Sequence, residues 1–313
     1  MIPGRLPTFT VAGAGRSGTT GLVEGLRTHP GVFLTYPKEP HYYALHGRDA
    51  DFRGPGDPAT INRVAVTGRD AFLELFSGAA DHLARGDGSV STLYYAQRAV
   101  EEIRRINPDM RVVIILRNPV ERAYSSYLYM RARGFEPCAD PVEALEDEER
   151  RRADNWHHLW HYRQMSFYAD GVRTLQDGLG RDQVGVYFYD DLSADYTATV
   201  SRVLRFLGLP AHPSEGRDVP RVNVSGTPRL ALLQKAIVAA TRNEVVRRTV
   251  KNSTSFRFRE RIRRSSLQRS AVPPAVEEAL RGVYDDDLAE LATLISGDVP
   301  PWLSASRLSE GPA

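Results

Sequence analysis

Short apolar runs separated by longer segments of mixed polarity characterise the first two thirds of the chain. The clearest run is Arg111–Leu116, in which every residue after the arginine is apolar. A run without alternation is typical of a parallel strand that is covered on both faces of its sheet. Similar runs at 8–12, 32–34 and 184–189 are predicted to be strands as well.

Helices are predicted between and after these strands. The predicted helical segments are 19–28, a helix ending at Ile106, 119–133, an amphipathic segment through Leu204 and Leu207, and 274–295. Strands that alternate with helices predict an α/β protein with a parallel sheet flanked by helices. No strong linker interrupts the chain. We therefore expect a single domain over 1–313, with a motif-bearing core at 8–229 and a mostly helical C-terminal part at 230–313.

The composition narrows the class of protein. Hydrophobic residues make up 42% and charged residues 26% of the chain, which is ordinary for a globular protein. Cys138 is the only cysteine, which excludes an intrachain disulfide and argues against a cysteine-based zinc site. No apolar run approaches the roughly 18 residues of a membrane span, and the N-terminus lacks the apolar core of a signal peptide. We expect a soluble, cytoplasmic protein, and its net charge of +2 does not indicate a nucleic-acid partner.

A glycine-rich loop follows the first predicted strand and reads Gly-Ala-Gly-Arg-Ser-Gly-Thr-Thr over 13–20. Glycines let the backbone approach a phosphate, and the N–H groups at the start of the following helix are unpaired. Gly13 and Gly18 keep the spacing of a Walker A motif, but Thr19 and Thr20 stand where that motif has lysine and Ser/Thr. The nearest cation is Arg16. The loop predicts a phosphate site, and the missing lysine argues against the alternative of a P-loop small-molecule kinase.

A second candidate anion site follows the long apolar strand, where the chain reads Arg-Asn-Pro-Val-Glu-Arg-Ala-Tyr-Ser over 117–125. Arg117 is predicted to lie at the carboxyl end of a parallel strand, where open α/β sheets bind ligands. A guanidinium pairs with a phosphate through two parallel hydrogen bonds, and the Ser125 hydroxyl on the following helix could contact the same phosphate. The alternative is a surface ion pair between Arg117 and Glu121.

These motifs resemble those of the sulfotransferases that use 3′-phosphoadenosine-5′-phosphosulfate (PAPS), in particular the bacterial and Golgi carbohydrate-type branch. Residues 16–20 match the family's 5′-phosphosulfate loop, Lys/Arg-Ser-Gly-Thr-Thr, and residues 117–125 match its 3′-phosphate motif, Arg-Asp/Asn-Pro-x-x-Arg-x-x-Ser. Residues 35–43 resemble its Lys-Glu-x-His-Phe-Phe segment, 187–192 its strand ending in Tyr-Glu-Asp-Leu, and 223–229 a late loop of bacterial members. The resemblance implies a sulfotransferase-like, P-loop-containing sheet.

The resemblance also implies a reaction and a donor site. The reaction is transfer of a sulfuryl group from PAPS to a hydroxyl of a carbohydrate, lipid or secondary-metabolite acceptor, with release of 3′,5′-ADP and without a metal. The residues implied for the donor site are Arg16, Ser17, Gly18, Thr19, Thr20, Arg117, Ser125, Ser225 and Arg229. Arg16 is also expected to stabilise the charge that develops on the leaving phosphate.

Glu39 is the general base that the resemblance implies, and His41 is the alternative base. Both are therefore candidate catalytic residues, although a surface position for Glu39 and simple packing for His41 are the structural alternatives. The chain departs from the family at 86–90, where Gly-Asp-Gly-Ser-Val replaces Gly-Glu-Lys-Ser-Pro. The extra catalytic lysine of some relatives is consequently absent from this position.

Three further segments carry weaker signals. The acidic segment 136–149 and the arginines at 150–152 are interpreted as a solvated helix face. The segment 242–269 holds ten basic and two acidic residues, which suits an anionic acceptor, an acidic membrane surface, a basic lid or a plain surface helix. His157 and His161 have the spacing of zinc ligands, but no acidic third ligand follows nearby, so no metal is predicted. A non-catalytic nucleotide-binding protein stays an alternative, and the oligomeric state is not predicted.

Overall fold

A five-stranded parallel sheet forms the centre of the protein, which is described from a computed structural model covering residues 6–210 and 271–308 and the paired dipeptides 227–228 and 267–268. The strands of the sheet are β1 (Phe9–Gly13), β2 (Val32–Leu34), β3 (Ala84–Asp87), β4 (Arg111–Leu116) and β5 (Val184–Phe188). Their order is β2-β3-β1-β4-β5. A short antiparallel pair joins β6 (Thr227–Pro228) to β7 (Leu267–Gln268).

Helices cover both faces of this sheet. The helices of the described residues are α1 (Thr19–Arg27), α2 (Tyr42–Leu45), α3 (Ile61–Val64), α4 (Arg69–Glu74), α5 (Ser91–Tyr94), α6 (Ala96–Ile106), α7 (Pro119–Ala132), α8 (Pro141–Glu146), α9 (Glu148–Ala153), α10 (Ala169–Leu179), α11 (Tyr189–Ala194), α12 (Tyr196–Phe206), α13 (Pro274–Ala279), α14 (Asp285–Leu294) and α15 (Pro301–Leu308). Single 3₁₀ turns lie at His158–Trp160, Gln164–Ser166 and Arg181–Gln183. The predicted α/β class with a parallel sheet flanked by helices is confirmed.

Strand β4 packs against the helical layers on both faces of the sheet. Val112, Ile114 and Leu116 point into one apolar core, which also contains residues of α6, α10 and α14. Val113 and Ile115 point into a second core, shared with α1 and α12. Because neighbouring side chains of a strand point to opposite faces, an uninterrupted apolar run is required at this position. The strand accordingly has the bounds that the sequence predicts.

The strand order places a crevice beside β1. The chain leaves β1 towards β2 and β3 on one side, then returns to β4 on the other side. In open α/β sheets, ligands bind beyond the carboxyl ends of the strands at such a reversal. The glycine-rich loop follows β1, and Arg117 follows β4, so the fold brings both predicted phosphate sites to this crevice.

One prediction of secondary structure is wrong, and one strand was missed. The C-terminal helix predicted over 274–295 is divided into α13 and α14, because Gly282 between them has a φ of 70° that does not continue a helix. Strand β3 was not predicted, since Arg85 and Asp87 interrupt its apolar pattern. The single-domain division of the chain stays a prediction.

The interpretation of 136–152 as a solvated helix face is also wrong for three residues. Glu136 and Arg151 have fully buried side chains that form an ion pair, with Arg151 Nη2 2.8 Å from Glu136 Oε1. Glu148 is buried as well and accepts hydrogen bonds from the backbone N–H groups of Arg163 and Gln164. Charged residues are buried at these places because each one has a partner of opposite charge or a hydrogen-bond donor.

Across the described ranges, 6–210 and 271–308, no helix has both the length and the apolar character that crossing a membrane would require.

Candidate active site

The loop between β1 and α1 has the backbone shape that its glycines permit. Gly18 has a φ of 95° and stands directly before α1. A Cβ atom added to Gly18 would lie 2.9 Å from Leu192 Cδ2 and 3.0 Å from Tyr189 Cδ2, so a larger residue does not fit without displacing them. The loop therefore ends at the N-terminus of a helix, where unpaired N–H groups and the helix dipole favour an anion.

Two polar side chains of this loop suit a phosphate ligand. The Ser17 hydroxyl oxygen is buried and has no hydrogen-bond partner among the described residues. A serine hydroxyl can donate one hydrogen bond, so this group is able to donate to a phosphate oxygen. The Arg16 guanidinium lies over the ring of Tyr129 on α7, 4.4 Å from its centroid. The loop thus carries an anion-binding backbone, a hydroxyl and a cation.

Arg122 connects this loop to α7, and the sequence interpretation gave it no role. Its side chain is fully buried and donates hydrogen bonds to the Gly15 carbonyl at 3.4 Å, to Ser166 Oγ at 2.6 Å, and to the Tyr162 carbonyl. The signal was present, because Arg122 is the second arginine of the matched motif at 117–125. A buried arginine with several acceptors fixes the position of the phosphate loop against α7.

Arg117 and Ser125 line one cavity of about 830 Å³, which we call the Arg117 pocket. Arg117 comes directly after β4, and Ser125 lies in α7, which begins at Pro119. The Asn118 side chain caps α7 by accepting hydrogen bonds from the N–H groups of Val120 and Glu121. The structure therefore brings together the two residues that the sequence assigned to one phosphate.

The ion pair that the sequence left as an alternative is present in the same pocket. Arg117 Nε lies 3.0 Å and Nη2 2.6 Å from Glu121 Oε2. The guanidinium also lies over the ring of Tyr189, 4.6 Å from its centroid. Arg117 thus has a defined orientation, and an acidic group contacts the N–H groups that a phosphate would use.

Lys38 links Glu39 to the phosphate loop. Lys38 Nζ lies 2.6 Å from Glu39 Oε1 and donates a hydrogen bond to Thr20 Oγ1 at 3.3 Å. The Glu39 side chain is 28% exposed, so a ligand can reach it. Burial raises the pKa of Glu39, but the charge of Lys38, the neighbouring His41 and hydrogen bonds from Lys38 and the Val90 N–H group together lower it below its ordinary value. An ionised carboxylate therefore stands beside the loop.

His41 is buried and holds the Glu39 segment in place. Its backbone N–H donates to Ser89 Oγ at 2.9 Å, and its Nδ1 lies 2.9 Å from Ser91 Oγ. Burial, with smaller effects of His157 and Lys38 and against the opposing effect of Glu39, lowers the pKa of His41 to about 4. The imidazole is neutral at neutral pH, and its Nδ1 is already in a hydrogen bond.

Asp87 supports the same segment from the end of β3. It is fully buried and accepts hydrogen bonds from the Ser89 hydroxyl and, at 3.1 Å, from the Ser89 N–H group. Burial raises the pKa of Asp87 to about 6, although the hydrogen bonds from Ser89 oppose this effect. Because Ser89 Oγ accepts from the His41 N–H group, Asp87 orients the hydroxyl that positions the backbone next to Glu39.

Gly88 occupies the position where some members of the family that the motifs resemble have a catalytic lysine. A Cβ atom added to Gly88 would lie only 2.8 Å from Lys38 Cε. The Gly88 N–H group donates to the Lys38 carbonyl at 2.8 Å. The space beside Gly88 is therefore filled by the side chain of Lys38, so a cation is present here despite the missing lysine.

Several residues that the sequence analysis singled out are not part of the site described above. Ser225, Arg229 and the basic segment 242–269, apart from the β7 backbone, lie outside the described residues. His157 Nδ1 lies 2.8 Å from Asp57 Oδ1, whereas His161 Nδ1 contacts the Tyr94 hydroxyl at 2.8 Å. Within 6–210 and 271–308, no group of three or more His, Cys, Asp or Glu side chains is arranged to hold a metal ion.

Solved structures and curated proteins resemble this chain. The crystal structure of a sulfotransferase from Alicyclobacillus acidocaldarius superimposes with a TM-score of 0.72 at 26% identity, covering 96% of this chain and 98% of the bacterial one. Mouse heparan sulfate glucosamine 3-O-sulfotransferase 6 is 27% identical over 256 residues, which cover 72% of this chain and 68% of that protein.

Human carbohydrate sulfotransferase 15 is 28% identical over 152 residues, or 40% of this chain. The match spans about a quarter of that human protein, 27% of its length. The sequence model described as the Sulfotransferase family matches residues 7–213, which include the phosphate loop, Glu39, Arg117 and Ser125. The resemblance inferred from the motifs is confirmed: this chain belongs to the sulfotransferase family.

Proposed function

We propose that this protein is a PAPS-dependent sulfotransferase that transfers a sulfuryl group to a hydroxyl of a carbohydrate-type acceptor and releases 3′,5′-ADP. One observation carries the proposal: Lys38 contacts both Glu39 and Thr20, so an ionised carboxylate stands next to an anion-binding loop. The similarity to carbohydrate and heparan sulfate sulfotransferases supports a carbohydrate acceptor. The single cysteine supports a cytoplasmic location, because the chain needs no oxidising compartment for a disulfide.

Each group has a role in the proposed transfer. Glu39 takes the proton of the acceptor hydroxyl, whose oxygen then attacks the sulfur atom of the donor. The bond between sulfur and the bridging oxygen breaks, and that oxygen leaves as part of the 5′-phosphate of 3′,5′-ADP. Arg16 and the N–H groups of the loop stabilise the negative charge on this oxygen, and such preorganised electrostatic contacts are commonly the largest single contribution to catalysis. Arg117 and Ser125 hold the 3′-phosphate.

The test of the donor site is calorimetric titration with 3′,5′-ADP and, separately, with ATP and magnesium. We expect 3′,5′-ADP to bind more tightly than ATP with magnesium. Its affinity should fall by about 10- to 100-fold in Arg117→Ala, because hydrogen bonds to a charged phosphate are lost. Arg173→Ala, which removes a half-exposed arginine of α10, is the control and is expected to bind normally. Preference for ATP with magnesium, or indifference to Arg117→Ala, would reject the proposal and favour a kinase.

Lys38→Met is expected to shift the acidic limb of the pH profile of kcat/KM to higher pH. Glu39 must be ionised to act as a base, so activity falls as the pH drops through the pKa of Glu39. The Lys38 charge lowers that pKa, and its removal raises it. Lys38→Arg retains the charge and should keep the limb near the wild-type position. An unchanged limb in Lys38→Met would show that Glu39 does not govern it.

A further inference from the structure

Glu121 contacts the guanidinium of Arg117 inside the Arg117 pocket. Both Nε and Nη2 of Arg117 donate hydrogen bonds to one oxygen, Glu121 Oε2, at 3.0 and 2.6 Å. The two residues both line the cavity that also contains Ser125. The N–H groups that would form a fork around a phosphate are therefore bonded to a carboxylate of the same chain.

The position of Glu121 follows from the start of α7. Asn118 caps the helix and Pro119 begins it, which places Glu121 in the first turn, where the helix dipole favours a carboxylate. The side chain of Arg117 is 18% exposed and that of Glu121 is 48% exposed. Tyr189 covers the guanidinium from another side. Arg117 is thus held in place, whereas Glu121 has room to turn into solvent.

We propose that Glu121 competes with the 3′-phosphate of the nucleotide for Arg117 and thereby lowers the affinity of the pocket for 3′-phosphorylated nucleotides; this inference rests on the proposed function. A 3′-phosphate carries nearly two negative charges and displaces a carboxylate that is half exposed, since exposed ion pairs are weak. A nucleotide without a 3′-phosphate leaves the ion pair intact and gains nothing from Arg117. The competition therefore lowers the affinity for a 3′-phosphorylated nucleotide, and it reduces the preference for that nucleotide over one that lacks the 3′-phosphate.

The experiment compares calorimetric affinities for 3′,5′-ADP and 5′-AMP in the wild type, Glu121→Gln, Arg117→Ala and the double variant. We expect Glu121→Gln to bind 3′,5′-ADP roughly three- to tenfold more tightly, because a competing charge is removed, with 5′-AMP unchanged. In the Arg117→Ala background the gain should disappear, as coupled residues require. Asp170→Asn is the matched control, because it neutralises an exposed carboxylate paired with Arg173 outside the pocket.

The outcomes separate this inference from the proposed function. A wild-type protein that does not prefer 3′,5′-ADP to 5′-AMP contradicts the proposed function itself. If the wild type prefers 3′,5′-ADP and Glu121→Gln does not increase this preference, only the role of Glu121 is overturned. The same holds if Glu121→Gln binds both nucleotides more tightly by the same factor. Glu121→Asp, which withdraws the carboxylate by one methylene, provides a second variant and is expected to change the affinity in the same direction as Glu121→Gln.

Discussion

Glu39→Gln is expected to reduce kcat for sulfuryl transfer by about 10²- to 10⁴-fold, the range that general-base catalysis contributes. The amide keeps the size of the side chain but accepts no proton from the acceptor hydroxyl. Affinity for 3′,5′-ADP should change little, because Lys38 lies between Glu39 and the loop. The measurement is the rate of 3′,5′-ADP release from PAPS with the best acceptor from a panel of hydroxylated sugars and phenols.

Two controls make this result specific to Glu39. Glu101→Gln neutralises an exposed glutamate of α6, far from the loop in sequence, and should retain the wild-type rate. His41→Gln tests the alternative base that the sequence left open. A nearly normal rate in Glu39→Gln combined with a large loss in His41→Gln would transfer the role to His41. The low pKa of His41 and the hydrogen bond between its Nδ1 and Ser91 favour Glu39 as the base.

The parts of the fold that the sequence predicted are those where burial dictates the residue type. Strand β4 is covered on both faces, so all its positions after Arg111 are apolar and its bounds were predicted correctly. Strand β3 is different, because its polar residues have partners elsewhere in the chain. Arg85 donates from Nε to the Leu6 carbonyl at 2.7 Å, and Asp87 accepts from Ser89. A polar residue that is satisfied by a hydrogen bond outside its strand leaves no periodic signal in the sequence.

In the candidate site, the contiguous motifs were predicted from the sequence, whereas contacts between segments far apart in the chain were not. The glycine-rich loop and the motif after β4 are contiguous in sequence, and their residue types alone indicated phosphate binding. The contact between Lys38 and Thr20 joins two segments whose approach depends on how the chain after β2 packs against α1. The role of Arg122 was missed because a fully buried arginine is explained by its acceptors, which come from the loop, from Ser126 and from residues 162–166.

Glu136→Gln is expected to lower the free energy of unfolding by about 3–5 kcal/mol, the usual effect of breaking a buried ion pair from one side. Both side chains of the pair are fully buried, and Arg151 Nη1 and Nη2 each lie 2.8 Å from a carboxylate oxygen of Glu136. The Cys138 N–H group donates to the same carboxylate at 2.9 Å. Neutralising Glu136 leaves Arg151 with Asp147 as its remaining charged partner.

Denaturant unfolding followed by circular dichroism measures this loss, with Glu146→Gln as the control on the exposed face of α8. The control should stay within about 0.5 kcal/mol of the wild type, because a surface charge without buried contacts contributes little. Replacing both members of the pair, as in Glu136→Leu with Arg151→Met, should recover much of the stability, since no unpaired charge is then buried. If Glu136→Gln were as stable as Glu146→Gln, the buried pair would contribute little to the fold, and the contacts of Arg151 with the rings of Trp156, Trp160 and Tyr162 would be its main stabilising interactions.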